Sequence, residues 1–148
     1  RAREVVQPRM DAIEKAWLAK DFATFARITM AESNQFHATC LDTYPPIFYM
    51  NDVSSSIIRA VHVYNDWAGE VRAAYTFDAG PNAVLYTLDQ HVVELGALML
   101  RFYPAAATAA LGSYINNAGY AQTVQQFQLD GGLVAAVERT GRTPTAGD

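Results

Sequence analysis

The feature that most constrains the fold is a change of apolar period at Glu70. Before it, apolar side chains recur at spacings of three and four, which is typical of helices with one buried face. Residues 70–77 instead follow the alternating pattern of a β-strand. Gly80-Pro81-Asn82 ends this strand, and residues 83–88 form a second β-prone run close enough to pair with it. Helices followed by a few strands predict an α+β domain, with helices packed on a small antiparallel sheet.

Three helices are predicted before the strand. The first covers residues 5–19, and its apolar stripe consists of Val6, Met10, Ile13 and Trp17. The second begins after a capping Asp21 and runs to about Leu41, before Pro45-Pro46. The third has Asn51, Asp52 or Ser54 as its cap, and Gly69 is placed to end it in a left-handed conformation.

The second half of the chain gives one strong helix signal. Asp89 is predicted to cap a fourth helix, which ends before Pro104 and has an apolar stripe of Val92, Leu95, Met99 and Phe102. Residues 105–132 have no clear period and fit either helix or loop. Residues 133–138 are predicted to form a last strand, and residues 140–148 a flexible tail.

Composition limits the class of protein and its partners. A chain of 148 residues, 51% apolar and 18% charged, predicts a single folded domain. A net charge of −4 and the lack of a basic cluster argue against nucleic acid as a partner. The apolar runs are far shorter than the roughly 20 residues needed to cross a bilayer, so no membrane span is predicted. Cys40 is the single cysteine, which favours a reducing, cytoplasmic compartment.

Common metal and phosphate motifs are missing from the sequence. His37, His62 and His91 have no two-ligand spacing, so no metal site is predicted, and hydrogen-bonded, partly buried histidines are the expectation. Residues 54–56 are three serines without the glycines of a phosphate loop, and a helix start is the better interpretation. No glycine-rich nucleotide loop exists, so the chain is not expected to bind a nucleotide by itself.

Two polar features admit more than one interpretation. Residues 33–39, which include Asn34 and His37, place weak helix formers inside the second helix. They could line a cleft or hold a neighbouring loop, but an internal polar network from helix to sheet or a frayed helix explains them equally well. Asp78 closes the strand before a turn of small residues. Its carboxylate could face a ligand, or it could bond its own backbone as turn aspartates commonly do.

Two long segments resemble one enzyme family. The segment SNQFHATCLDTYPPI at residues 33–47 and the segment YTFDAGPNA at residues 75–83 resemble diphosphomevalonate decarboxylase. The similarity extends from about Arg9 to about Tyr103 and concerns the C-terminal part of the family's sequences. The family belongs to the superfamily of galactokinase, homoserine kinase, mevalonate kinase and phosphomevalonate kinase. The resemblance implies that the chain is a C-terminal α+β domain, a fragment without the N-terminal nucleotide-binding domain.

The resemblance also implies a reaction and a site. The reaction is the ATP- and Mg²⁺-dependent decarboxylation of mevalonate 5-diphosphate to isopentenyl diphosphate, a precursor of isoprenoids and sterols. Asp78 is the implied catalytic residue, as general base for the tertiary hydroxyl, and Ala79 and Gly80 are the implied substrate-binding residues of the pocket wall. ATP and Mg²⁺ are expected to bind mainly to the N-terminal domain, so the isolated chain should be inactive. Family members commonly form homodimers, which is the expected assembly.

Two other functions remain open. The domain could serve as a non-catalytic module for ligand binding or dimerisation that has kept the family's shell. It could also belong to a sister small-molecule kinase, which phosphorylates without decarboxylating, although the residues of both segments argue against this.

Overall fold

The computed structural model describes residues 2–104 and 118–140. The chain divides between Tyr86 and Thr87 into two compact units. The elements that begin before this boundary are a π-helical turn Ala2–Val6, α1 Gln7–Leu18, α2 Phe22–Leu41, α3 Asp52–Ala68, β1 Ala73–Phe77 and β2 Ala83–Thr87. The α+β class predicted from the change of period is confirmed, with helices combined with a two-stranded antiparallel sheet.

The predicted caps of α2 and α3 are present. Asp21 accepts a hydrogen bond from the amide of Thr24 at 3.0 Å. The pKa of its carboxyl group is lowered, first by a hydrogen bond from the Thr24 side chain and then by this amide. Asn51 begins α3 with a capping box, in which Asn51 and Ser54 each accept from the other's amide. Gly69 ends α3 with a φ of 69°, a left-handed conformation that favours glycine.

Strand β1 begins at Ala73, three residues later than predicted. The side chain of Asn65 in α3 explains the difference. Its amide oxygen accepts from the backbone N–H groups of Arg72 and Ala73, and its amide nitrogen donates to the carbonyl of Ala73. The backbone before Ala73 is therefore bonded to a helix side chain instead of continuing the strand.

Helices α2 and α3 both pack on β1, which carries the core of the first unit. The fully buried large side chains of this core are Val61, Tyr64 and Tyr75. Helix α1 packs on α2, but its predicted stripe is partly wrong. Met10 and Trp17 are 57% and 71% exposed, and the buried residue of α1 is Ala16. The helix is turned so that a small residue faces its neighbour, which apolar spacing alone does not indicate.

The second unit is described by residues 87–104 and 118–140. It contains a 3₁₀ turn Asp89–His91, α4 Val92–Phe102, α5 Ala118–Gln126 and α6 Gly131–Glu138. Helix α4 forms as predicted, but Asp89 does not cap it. The carboxylate of Asp89 instead accepts from the hydroxyl of Tyr120 at 2.8 Å, and this bond raises the pKa of Tyr120.

The strand predicted for residues 133–138 is wrong, because this segment is helical. Asp130 caps α6 by accepting from the amides of Gly132 and Leu133, and the buried residues Leu133 and Val137 lie one turn apart. A short apolar run fits a strand or a buried helix equally well, and the cap decides between them. The uncertain segment 105–117 and residues 141–148 of the predicted tail lie outside the described residues.

None of the helices in residues 2–104 and 118–140 is long and apolar enough to cross a membrane.

Candidate active site

Asp78 directly follows β1 and is exposed. Its backbone carbonyl accepts from the amide of Gly80 at 2.7 Å, so the main chain itself closes the tight turn. Within the described part of the chain, the carboxylate has no hydrogen bond and no ion pair. The structure thus does not contain the turn in which Asp78 bonds its own backbone. Both oxygens of the carboxylate are therefore available to accept hydrogen bonds from a ligand at the end of the strand.

Ala79 and Gly80 follow Asp78 in the same turn. Ala79 is exposed and Gly80 is half-buried. A Cβ placed on Gly80 would have no described atom within 4 Å, and the φ of Gly80 is not in the left-handed region. The described residues therefore leave open space at Gly80, and neither their packing nor the backbone geometry requires glycine here.

Helix α2 holds the last residue of β1 through Ser33. The Ser33 Oγ accepts from the backbone N–H of Phe77 at 2.9 Å, and Ser33 is 4% exposed. This bond is part of a polar network between helix and sheet, which was one of the interpretations of residues 33–39. The segment is helical throughout, so the frayed helix is excluded.

Asn34 and Tyr75 form a second link between α2 and β1. The Tyr75 hydroxyl donates to the Asn34 Oδ1 at 3.1 Å, and the His62 Nε2 of α3 lies 3.3 Å from the same hydroxyl. Because a hydroxyl has one proton to donate, His62 is the donor in the second bond. Burial raises the pKa of Tyr75, against the opposing effect of Asn34. The hydroxyl therefore stays protonated at neutral pH and remains a donor.

His37 lies one turn after Ser33 and is 4% exposed. Its ring makes edge contacts with the rings of Phe36, Tyr49 and Phe77. Its Nε2 is buried and has no partner among the described residues, so the prediction of a hydrogen-bonded, partly buried histidine does not hold for this nitrogen. His37 supports the residue before Asp78 by packing.

Helix α3 holds the other side of the turn. The Ser54 Oγ lies 3.2 Å from the backbone carbonyl of Pro81 and 3.1 Å from the Asn51 Oδ1, so its one proton is shared between these two acceptors. Ser54 is fully buried. The interpretation of residues 54–56 as a helix start is correct, but it missed this second role of Ser54. The signal was weak, because 27 residues separate the two partners.

The arrangement presents a single carboxylate on a strand end that two helices hold. Such a group can accept a proton or orient a hydroxyl group of a ligand. Among the residues that the structure describes, no group of three His, Cys, Asp or Glu side chains could hold a metal ion. The chemistry that the Asp78 carboxylate can supply is acid–base chemistry.

Comparison with curated proteins gives consistent matches. The diphosphomevalonate decarboxylase of Danio rerio is 53% identical over 104 residues, which are 70% of this chain and 26% of that protein. The diphosphomevalonate decarboxylase mvd1 of Aspergillus fumigatus is 63% identical over 90 residues, 61% of this chain and 22% of that protein. The chain spans about a quarter of the length of these curated relatives.

Solved structures share the fold. The mevalonate diphosphate decarboxylase from Trypanosoma brucei superposes with a TM-score of 0.81 at 32% identity, over 88% of this chain and 34% of that one. A complex of MDDEF with MVAPP, AMPPCP and magnesium superposes with a TM-score of 0.58 at 26% identity, over 65% of this chain and 29% of that one.

The model of the family described as "Mevalonate 5-diphosphate decarboxylase C-terminal domain" matches residues 1–139, nearly the whole chain. This match agrees with the two segments around Ser33 and Asp78 that carried the resemblance. The chain therefore belongs to the mevalonate 5-diphosphate decarboxylase C-terminal domain family.

Proposed function

We propose that this chain supplies the catalytic aspartate of a diphosphomevalonate decarboxylase, and that Asp78 is the general base of the reaction. The substrate is mevalonate 5-diphosphate, and the products are isopentenyl diphosphate, carbon dioxide, phosphate and ADP. Family membership supports the reaction class, because the curated relatives are named for it.

The observation that carries the proposal is the state of the Asp78 carboxylate. It is exposed and has no partner within the described residues, while the backbone on both sides of it is bonded to buried serines. A structural aspartate at a strand end normally bonds its own turn. The backbone of Asp78 is fixed, but its carboxylate bonds none of the described residues, as is expected of a group that binds a substrate.

The proposed step begins with a proton transfer. The Asp78 carboxylate accepts or orients the proton of the substrate's tertiary hydroxyl, which increases the nucleophilicity of its oxygen. That oxygen attacks the terminal phosphorus of ATP, its O–H bond breaks, and ADP leaves. The phosphorylated intermediate then loses phosphate and carbon dioxide, and the electron pair of the C–C bond forms the new double bond. No base is needed in this second stage.

ATP and Mg²⁺ have no evident site of their own among the described residues of this chain. The described residues contain no candidate metal cluster, and the sequence has no glycine-rich nucleotide loop. A solved relative in complex with AMPPCP and magnesium supports their use in the reaction. We therefore propose that they bind to residues of the complete enzyme outside this chain, and that the chain alone is inactive.

The test is Asp78→Asn in the complete enzyme that contains this domain. Because an amide cannot take the proton, kcat should fall by about 10²- to 10⁴-fold, and KM for mevalonate 5-diphosphate should change much less. Carbon dioxide release and ADP formation are measured separately. ADP formation without carbon dioxide release by the unmodified enzyme would instead identify a sister kinase.

Asp66→Asn is the matched control, because Asp66 is also an exposed aspartate of the first unit and lies in α3. Its kcat should stay near that of the unmodified enzyme. Near-normal kcat in Asp78→Asn would refute the catalytic assignment and would favour a non-catalytic binding module.

Assembly and compartment stay predictions. The resemblance predicts a homodimer, and the single cysteine predicts the cytosol. Light scattering of the complete enzyme tests the first prediction, and fractionation of the source cells tests the second.

A further inference from the structure

The segment that carries Asp78 is held at both ends by buried serine hydroxyls from different helices. The Ser33 Oγ of α2 accepts from the Phe77 amide at 2.9 Å. The Ser54 Oγ of α3 donates to the Pro81 carbonyl at 3.2 Å, in competition with the Asn51 Oδ1 at 3.1 Å. Between these two bonds, the backbone bond from Gly80 to Asp78 closes the turn. The two ends of a five-residue segment are thus tied to the helices that pack on β1.

Both hydroxyls are shielded from water. Ser33 is 4% exposed and Ser54 is 0% exposed. Phe77 is buried as well, so its amide cannot recruit solvent in place of Ser33 without a local rearrangement. Pro81 is exposed, so its carbonyl can accept from water in place of Ser54 at a lower cost. Removal of the Ser33 hydroxyl should therefore shift the backbone next to Asp78, and removal of the Ser54 hydroxyl should shift it less.

The direction of the Asp78 carboxylate depends on this backbone. Its side chain has no polar contact of its own within the described residues, so among these residues only the backbone of the segment fixes its position. Proton transfer requires the acceptor within hydrogen-bond reach of the substrate hydroxyl. A misplacement of about 1 Å costs an enzyme about 10²-fold in rate, so small shifts of the segment should affect catalysis.

We propose that Ser33 and Ser54 are positioning residues, which hold the ends of the segment 77–81 so that the Asp78 carboxylate meets the substrate hydroxyl. The proposal rests on the proposed function of Asp78. Neither serine touches the reacting atoms, and each acts through the backbone of the segment.

The first test compares serine variants in the complete enzyme. Ser33→Ala should lower kcat by about 10- to 100-fold and Ser54→Ala by about three- to tenfold, with KM for mevalonate 5-diphosphate changed less than threefold in both. Ser56→Ala is the control, because Ser56 is also buried in α3 but donates to the Val53 carbonyl within its own helix. Its kcat, per active site, should stay near normal.

Two further controls separate positioning from stability. Ser33→Thr and Ser33→Val add the same bulk, but only threonine keeps the hydroxyl acceptor. Threonine should therefore retain a higher kcat than valine. Asn51→Ala removes the capping side chain of α3, which is the other acceptor of the Ser54 hydroxyl, and leaves that hydroxyl to Pro81. It should therefore lower thermal stability more than kcat.

A double-mutant cycle gives the decisive readout. If Ser33 acts through Asp78, Ser33→Ala should lower the residual kcat of Asp78→Asn by less than twofold, because the positioned group is already lost. A purely structural role would lower kcat by the same factor in both backgrounds.

The possible failures are distinguishable. Near-normal kcat in Asp78→Asn refutes the proposed function, and the positioning role with it. Two outcomes refute the positioning role alone, provided that Asp78→Asn loses most of its kcat. In the first, the kcat values of Ser33→Ala and Ser54→Ala match that of Ser56→Ala. In the second, the effects of Ser33→Ala and Asp78→Asn on kcat multiply fully in the cycle.

Discussion

The carboxylate of Asp78 is exposed, whereas the preceding residue Phe77 is buried against α2. The spacing of apolar residues alone therefore could not decide whether Asp78 is a turn residue or part of a functional site. The residues of the surrounding motif favoured a catalytic role for Asp78, and the structure contains no hydrogen bond from the Asp78 side chain to its own turn. The catalytic role itself stays a proposal until the enzyme is assayed.

Gly80 provides a test of the predicted pocket wall. A Cβ at this position would meet no described atom within 4 Å, so Gly80→Ala and Gly80→Leu should change the free energy of unfolding by no more than about 0.5 kcal/mol. If the substrate passes this wall, KM should rise with side-chain size, by about tenfold or more for leucine.

Steady-state kinetics and urea unfolding of the same Gly80 preparations give both quantities. An unchanged KM in Gly80→Leu would contradict the position of Gly80 at the pocket wall.

Tyr75 should make stability depend on pH in the alkaline range. Burial raises its pKa in the folded protein, whereas the unfolded chain has a tyrosine pKa of about 10. The folded state therefore holds more protons above this pH. The stabilisation is fully present below about pH 10 and is lost as the pH rises through the folded pKa.

Urea unfolding between pH 8 and 11 checks the Tyr75 prediction. The free energy of unfolding should fall more steeply with pH in the unmodified protein than in Tyr75→Phe. Equal slopes would mean that the hydroxyl of Tyr75 titrates normally.

At the scale of elements, local signals predicted the structure where the decisive contacts are local. The bounds of α2 and α3 follow from Asp21, Asn51 and Gly69, all within a few residues of the helix ends that they determine. The start of β1 was predicted too early, because the side chain of Asn65, eight residues before Ala73, forms hydrogen bonds with the backbone where the strand begins. Residues 133–138 were misassigned because five of the six are apolar, which hides the period.

The packing of α4 on α5 depends on a close approach at Gly96. A Cβ at Gly96 would lie 3.3 Å from the Cγ2 of Val124, which is buried. Gly96→Val should therefore lower the free energy of unfolding by about 1–3 kcal/mol through overpacking. Gly96→Ala should have a smaller effect, since its better helix propensity offsets the tight contact.

Urea unfolding of both Gly96 variants measures these differences. Gly131→Val serves as the control, because a Cβ on Gly131 would meet no described atom within 4 Å. Equal stability of Gly96→Val and Gly131→Val would contradict the close approach.

At the scale of the whole molecule, the sequence identified the family and one catalytic candidate. It could not reveal that Ser33 and Ser54 hold the same turn, because the two bonds span 44 and 27 residues and require the folded arrangement of both helices around β1. Metal and nucleotide contacts could not be derived either. The described residues contain no candidate metal cluster, and the chain spans about a quarter of the length of its curated relatives.

The central claim is that Asp78 acts on the substrate hydroxyl before phosphoryl transfer. Single-turnover measurements with the complete enzyme, Asp78→Asn and Asp66→Asn test it most directly, by following ADP formation and carbon dioxide release in the same reaction. We predict that Asp78→Asn slows ADP formation by about 10²-fold or more, that carbon dioxide release slows equally, and that Asp66→Asn changes neither. Fast ADP formation followed by slow carbon dioxide release in Asp78→Asn would contradict this role.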